Sequence, residues 1–231
     1  MDADWDWDGE TMSEPSRLGD SAPTILATEH WSLLGTRSLT YSEAFSRTTV
    51  FLNVLSASIV ALALIADATG FDESFGAFAL FVFPLVLFLG IATYIRLVQL
   101  NLEDIYLVVA MNRIRRAYME LAPELEPYFT TGSHDDEQGV MRTLMLGQPT
   151  SVNRWQHFFI TTPTVVATIN SIVTASGVAL LASRYGFSQP SLIAASVATF
   201  VGVWLLHFAM QVRMLKLLRQ DAPRFPSPGR S

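Results

Sequence analysis

From Gly76 to Ile95 the chain carries no charged residue, and it then runs into an amphipathic pattern that no glycine or proline interrupts before Pro123. A single helix over Gly76 to Ala122 is roughly 70 Å long, and a bilayer core takes only about 30 Å of it. The remainder stands in water as a stalk. The rest of the chain packs beside that helix or hangs from it.

Three further stretches lack Asp, Glu, Lys and Arg: Thr48 to Ala66, Trp155 to Ser183 and Tyr185 to Val212. Each supplies the roughly 20 apolar residues of a spanning helix. The expected fold is therefore all-α and polytopic, with four transmembrane helices in two hairpins and span two extended into a long cytoplasmic helix. Residues 1–27 read as a disordered acidic tail, 28–47 as an interfacial region, and 48–220 as the membrane domain with a cytoplasmic insert at 96–157. Residues 221–231 read as a flexible tail.

Orientation follows from the basic residues, which are retained in the cytoplasm when they flank spans. Arg37 and Arg47 precede span one, six arginines lie between spans two and three, and five basic residues follow span four. The loop 67–75 has none. Both termini and the insert are expected in the cytoplasm of a plasma membrane. The net charge of −6 comes largely from the N-terminal tail, whose acidic residues are opposed only by Arg17. Trp5 and Trp7 offer anchors should that tail fold back on the basic face, although acidic tails are ordinarily just solvated. With no cysteine, the chain has no disulfide, thiol nucleophile or thiolate metal site.

Local signals divide the N-terminal region in two. A short interfacial helix around Trp31, Leu33 and Leu34 is expected to stop at Gly35, and Thr40 to Glu43 reads as a capping box that starts the first long helix near Tyr41. Pro84 removes a backbone hydrogen bond in span two, where a bend is expected. Along the stalk, Ile105, Val108, Met111 and Ile114 share one apolar face that calls for cover from the insert or from another subunit. Pro123 and Pro127 end it, and Val140 to Leu146 suits a short surface helix. Asn153 to His157 suits the headgroup level.

Few residues inside the spans could carry chemistry. Thr161, Thr164, Thr168 and Ser171 share one face of span three, the pattern a water-lined or ion-lined path needs. Such hydroxyls more commonly bond their own i−4 carbonyls. Asn53, Asn170 and His207 are the other intramembrane polar groups, and Asn53 gains ~1 kcal/mol if it reaches a neighbouring helix. Ala57 and Ala61 in span one, and Ala194, Ala198 and Gly202 in span four, are small-residue packing stripes, within the chain or between copies. No carboxylate or ammonium lies in a span, which argues against a proton-coupled or sodium-coupled carrier. His134, Asp135, Asp136 and Glu137 read as a solvated turn rather than as metal ligands, because adjacent residues rarely converge on one ion. No nucleotide-binding, hydrolase or metalloprotease motif is present, so neither enzymatic activity nor a cofactor is expected.

Glu43 to Arg47, Arg96 to Asn101 and Met111 to Arg116 together resemble a group of uncharacterised bacterial four-span membrane proteins over roughly residues 28–215. The resemblance implies the topology and no activity. Arginine supplies fourteen of the fifteen basic residues, which suits a GC-rich bacterial genome. The reading that follows is a non-enzymatic membrane scaffold that assembles with itself or with a cytoplasmic protein through the stalk. The alternative is a homo-oligomeric pore lined by span three. The lipid bilayer is the remaining partner, and no nucleic acid is expected.

Overall fold

The computed structural model describes residues 17–145, 161–217 and 222–228. Five α-helices and one 3-10 turn make up the regular structure of these residues, with no strand among them. Helix α1 spans Arg17–Thr69 and α2 spans Glu73–Leu121. After the 3-10 turn Pro123–Tyr128 come α3 at Glu137–Leu144, α4 at Thr162–Arg184 and α5 at Gln189–Leu217. Helices α1, α2, α4 and α5 are each long and apolar enough to cross a membrane, and the chain is a multi-pass membrane protein.

The α1–α2 connection turns through Gly70 and Phe71, at φ 68° and 65°. Asp72 then caps α2, its Oδ1 accepting from the Ser74 and Phe75 amides at 2.9 and 3.0 Å. The two helices lie antiparallel along one another. At 53 and 49 residues they measure about 80 and 74 Å, far more than a bilayer core. Helices α4 and α5, joined through Gly186 at φ 74°, form a much shorter hairpin. The stalk is consequently a helix pair.

Helix α1 differs from the sequence expectation. It passes through Gly35 and Thr40 without a break, and residues 17–27 belong to it rather than to a disordered tail. The capping box does not form. Thr40 Oγ1 donates back to the Thr36 carbonyl at 3.1 Å, and Glu43 turns across to α2. Gly35 has open space around it, and a glycine in a helix interior costs only about 1 kcal/mol. Packing along the stalk outweighs that cost. Residues 1–16, with Trp5 and Trp7, and residues 146–160, with the 153–157 interfacial motif, lie outside the described residues. Helix α2 continues through Pro84 as one element.

Helix α2 is the centre. Its membrane part packs with Phe51 of α1 and with Val166, Ala167 and Val173 of α4 in one core. The strongly apolar windows of α2 and α4 are 33% buried, those of α1 and α5 only 6%. The latter two are therefore cladding, open to lipid over most of their surface. In the stalk, Val108 and Met111 are fully buried against Val140 of α3, with Leu33 of α1 and Leu144 of α3 packed around them. The apolar stalk face is covered from within the chain, by α1 as well as by the insert.

Met111→Ala is expected to destabilise the stalk by about 2–4 kcal/mol, because its thioether side chain has no solvent-facing escape. Leu121→Ala, at a position 51% exposed, should shift it by less than about 0.5 kcal/mol. Limited proteolysis of the purified protein under increasing denaturant separates the two.

Candidate functional site

Where α1 and α2 leave the apolar zone, two carboxylates fasten them together. Glu43 of α1 accepts a two-point contact from Arg96 of α2, at 2.9 Å from Nε and 3.0 Å from Nη2, and a third from Arg47 at 2.7 Å. Arg96 Nη1 reaches Glu103 at 2.8 Å. About two turns deeper into the stalk, Asp104 of α2 receives Arg37 at 2.6 and 3.2 Å and the Tyr41 hydroxyl at 3.2 Å. Paired guanidinium–carboxylate forks fix distance and angle together, so the two contacts set the register of the antiparallel pair. Hydrogen bonds from Arg96, then Arg47, pull the Glu43 carboxyl down to about 2.

The stalk tip is closed by a polar lock. Asn112, fully buried on α2, donates to the His134 carbonyl at 2.7 Å and accepts from Thr143 at 2.7 Å and Arg115 at 2.8 Å. In the 134–137 turn Asp135 and Asp136 are buried rather than solvated, while Glu137 is exposed. Asp135 accepts from the Arg224 and Phe225 amides at 2.9 and 2.8 Å, with Arg113 at 2.8 Å. Asp136 caps α3 through the Gly139 amide and holds both the amide and the hydroxyl of Ser227, at 3.0 and 2.7 Å. Burial alone would raise both carboxyls, but the tail amides, with Arg113 at Asp135 and the Gly139 amide at Asp136, lower them instead. Residues 222–228 are thus a docked strap, where the proline content suggested a flexible tail.

The four predicted hydroxyls of α4 are occupied inside the chain. Thr164 and Ser171 are buried. Ser171 donates to the Ala167 carbonyl at 2.8 Å and Thr168 to that of Thr164 at 2.9 Å, while Thr161 and Thr164 share a hydrogen bond of 3.0 Å. Thr168 also accepts from Trp204 Nε1 at 3.2 Å, tying α4 to α5. His207 donates from Nδ1 to the Val203 carbonyl at 2.8 Å and meets the Tyr94 ring edge-on. Asn170 is 1% exposed, yet neither atom of its amide has a partner among the described residues. It rests where a Cβ on Gly90 would come within 1.9 Å of its Oδ1, so that glycine makes room for it. The four predicted α4 hydroxyls are brought together, each in a hydrogen bond within the chain.

The remaining predicted positions point away from the core. Ala194, Ala198 and Gly202 of α5 are exposed, and a Cβ on Gly202 would meet nothing within 4 Å. On α1, Ala57 is exposed and Ala61 half-buried. Asn53 is exposed in the middle of span one and makes no hydrogen bond among the described residues.

Asn53 belongs to a larger feature. Ser32, Gly35, Leu39, Ser42, Ser46, Thr49, Asn53, Ser56, Val60 and Ala63 follow one another at alternating steps of three and four, and every one is exposed. The buried residues of α1, among them Thr40, Phe51 and the half-buried Leu55, lie on the opposite side. Hydroxyls flanking this strip bond back to their own helix, as Thr48 does to the Ala44 carbonyl and Ser58 to that of Val54, both within 2.8 Å. Ser42, Ser46, Thr49, Asn53 and Ser56 have no such bond among the described residues. The strip went unread in the sequence because breaks assigned at Gly35 and Thr40 cut it into pieces. Its signal, small and polar residues at a 3.5-residue mean spacing, is present from Ser32 onward.

Comparison with protein-family models, curated proteins and solved structures gives no match, so no family is assigned.

Because the Glu43 carboxyl lies below its ordinary value of 4.5 in the folded chain, its ionisation favours the folded state above that value. This contribution fades as pH falls from about 4.5 through about 2. Glu43→Gln should remove that part of the acid sensitivity and loosen the stalk root at neutral pH, read by thermal melts at pH 7 and pH 3 in detergent.

Proposed function

We propose that this chain is a non-catalytic membrane scaffold that assembles with a second copy of itself through α1, in a plasma membrane with both termini cytoplasmic. The orientation rests on the placement of arginines on the stalk side of the spans. The observation that carries the assembly is the unpartnered polar strip of α1. Thr49, Asn53 and Ser56 face hydrocarbon, where no water can satisfy an amide or hydroxyl.

The occupant follows from symmetry and spacing. Copies insert with one topology, so their α1 helices run parallel, and a two-fold axis brings each strip onto its own image. Small residues let two backbones approach closely, and steps of three and four are the repeat of a left-handed pair. Asn53 then meets Asn53 of the other copy, a polar pair that fixes register within an otherwise permissive seam. In the stalk the same strip continues through Ser42, Leu39, Gly35 and Ser32, so the pairing extends beyond the membrane. The apolar stalk face around Val108 and Met111 is already covered within each chain and is left out of this interface.

Asn53→Val should weaken dimerisation about fivefold, near the ~1 kcal/mol of an interhelical hydrogen bond, and Thr49→Leu with Ser56→Leu should weaken it further by holding the helices apart. Energy transfer between labelled copies, diluted into liposomes, measures both. A monomer at every density, or an Asn53→Val chain as well paired as the native one, would contradict the proposal.

A further inference from the structure

At the end of the bundle away from the stalk, α2 and α4 part and leave a groove of about 400 Å³ that faces the surrounding lipid. Its walls are apolar, with Leu80 and Phe83 on α2 and Leu181 on α4, and Gly177 keeps it open. From Val173 to Arg184 the groove runs 11 residues along α4, about 16 Å. One leaflet of hydrocarbon is about 15 Å deep. The groove therefore has the length of one acyl chain.

Two charged side chains stand at its mouth, Glu73 and Arg184. Arg184 lies on Gly76, where a Cβ would collide with its guanidinium, and Nη2 donates to the Asp72 carbonyl at 3.2 Å. That bond holds the cation over the groove, and its remaining donors have no partner among the described residues. Among the described residues Arg184 pairs with no carboxylate, and Glu73 pairs with no cation. The loop 67–75 contains no other basic residue to compete for an anion. A fixed guanidinium and a separate carboxylate, both at headgroup depth above an acyl-sized groove, match a headgroup that carries one phosphate and one ammonium.

We infer that this groove binds an amine-bearing zwitterionic phospholipid. One acyl chain lies between α2 and α4, the phosphate meets Arg184, and the primary ammonium meets Glu73. The site lies on α2 and α4 and does not depend on pairing through α1, so it stands or falls separately from the proposed assembly.

Native mass spectrometry of the delipidated full chain in detergent, titrated with phosphatidylethanolamine or phosphatidylglycerol, tests it. The native chain should hold phosphatidylethanolamine about tenfold more tightly, as a charge-assisted contact requires. Glu73→Gln should bring the two lipids to parity, and Arg184→Gln should weaken both about tenfold. Gly177→Leu, whose Cβ meets only Phe83 at 3.9 Å, should fill the groove and remove the preference while helix content by circular dichroism stays unchanged. Equal binding of the two lipids by the native chain, or a preference that survives Gly177→Leu, would overturn the inference.

Discussion

The fold depends on how α1 is fastened to α2 at the edge of the apolar zone. Arg96 grips Glu43, and Arg37 grips Asp104 with Tyr41 alongside. Both contacts are two-point forks, so neither permits a slip of one residue along the helix pair. Everything beyond them follows from that register. It sets Leu33 over Val108 and Met111, and it leaves the opposite side of α1 with nothing to touch among the described residues. A surface helix in water could remain so. A helix carrying Thr49, Asn53 and Ser56 through hydrocarbon has unmet hydrogen-bonding capacity, and lipid cannot meet it.

Seen with the bilayer as solvent, the polar groups of the spans fall into two classes. Several of those on α4 and α5 close on themselves or on each other: Ser171 on Ala167, Thr168 on Thr164 and Trp204, His207 on Val203, while Ser176 and Thr199 make no such bond among the described residues. Nor do those on the outer strip of α1. In the interior Asn170 is buried beside Gly90 without a partner among the described residues, a placement that costs about 1–3 kcal/mol of desolvation. What sets α1 apart is that its unbonded groups follow one another along a single exposed face, and the proposed assembly rests on that run.

What the sequence made legible was whatever depends on long-range composition. Four uncharged runs and an uninterrupted amphipathic continuation of the second give the four spans and the stalk. What it concealed depended on partners distant in the chain. Gly35 and the Thr40–Glu43 pair read as punctuation because local rules know nothing of Arg96, which takes the Glu43 carboxylate away from capping. Asp135 and Asp136 read as a solvated turn because the amides that bury them come from residues about 90 positions later. The α1 strip needed no distant partner to be seen. It needed only an unbroken helix, and that continuity was itself a tertiary effect.

The most direct test is a cysteine scan of α1 in membranes, which the absence of native cysteine makes free of background. Single cysteines at Ser46, Thr49 and Ser56 lie on the strip, while Val50 and Ile59 are also exposed but sit about 80–100° to either side of it. Oxidation should give disulfide-linked dimers from Ser46→Cys, Thr49→Cys and Ser56→Cys and little from Val50→Cys or Ile59→Cys. Equal cross-linking at all five positions, or none at any, would contradict a parallel pairing of two copies through this face.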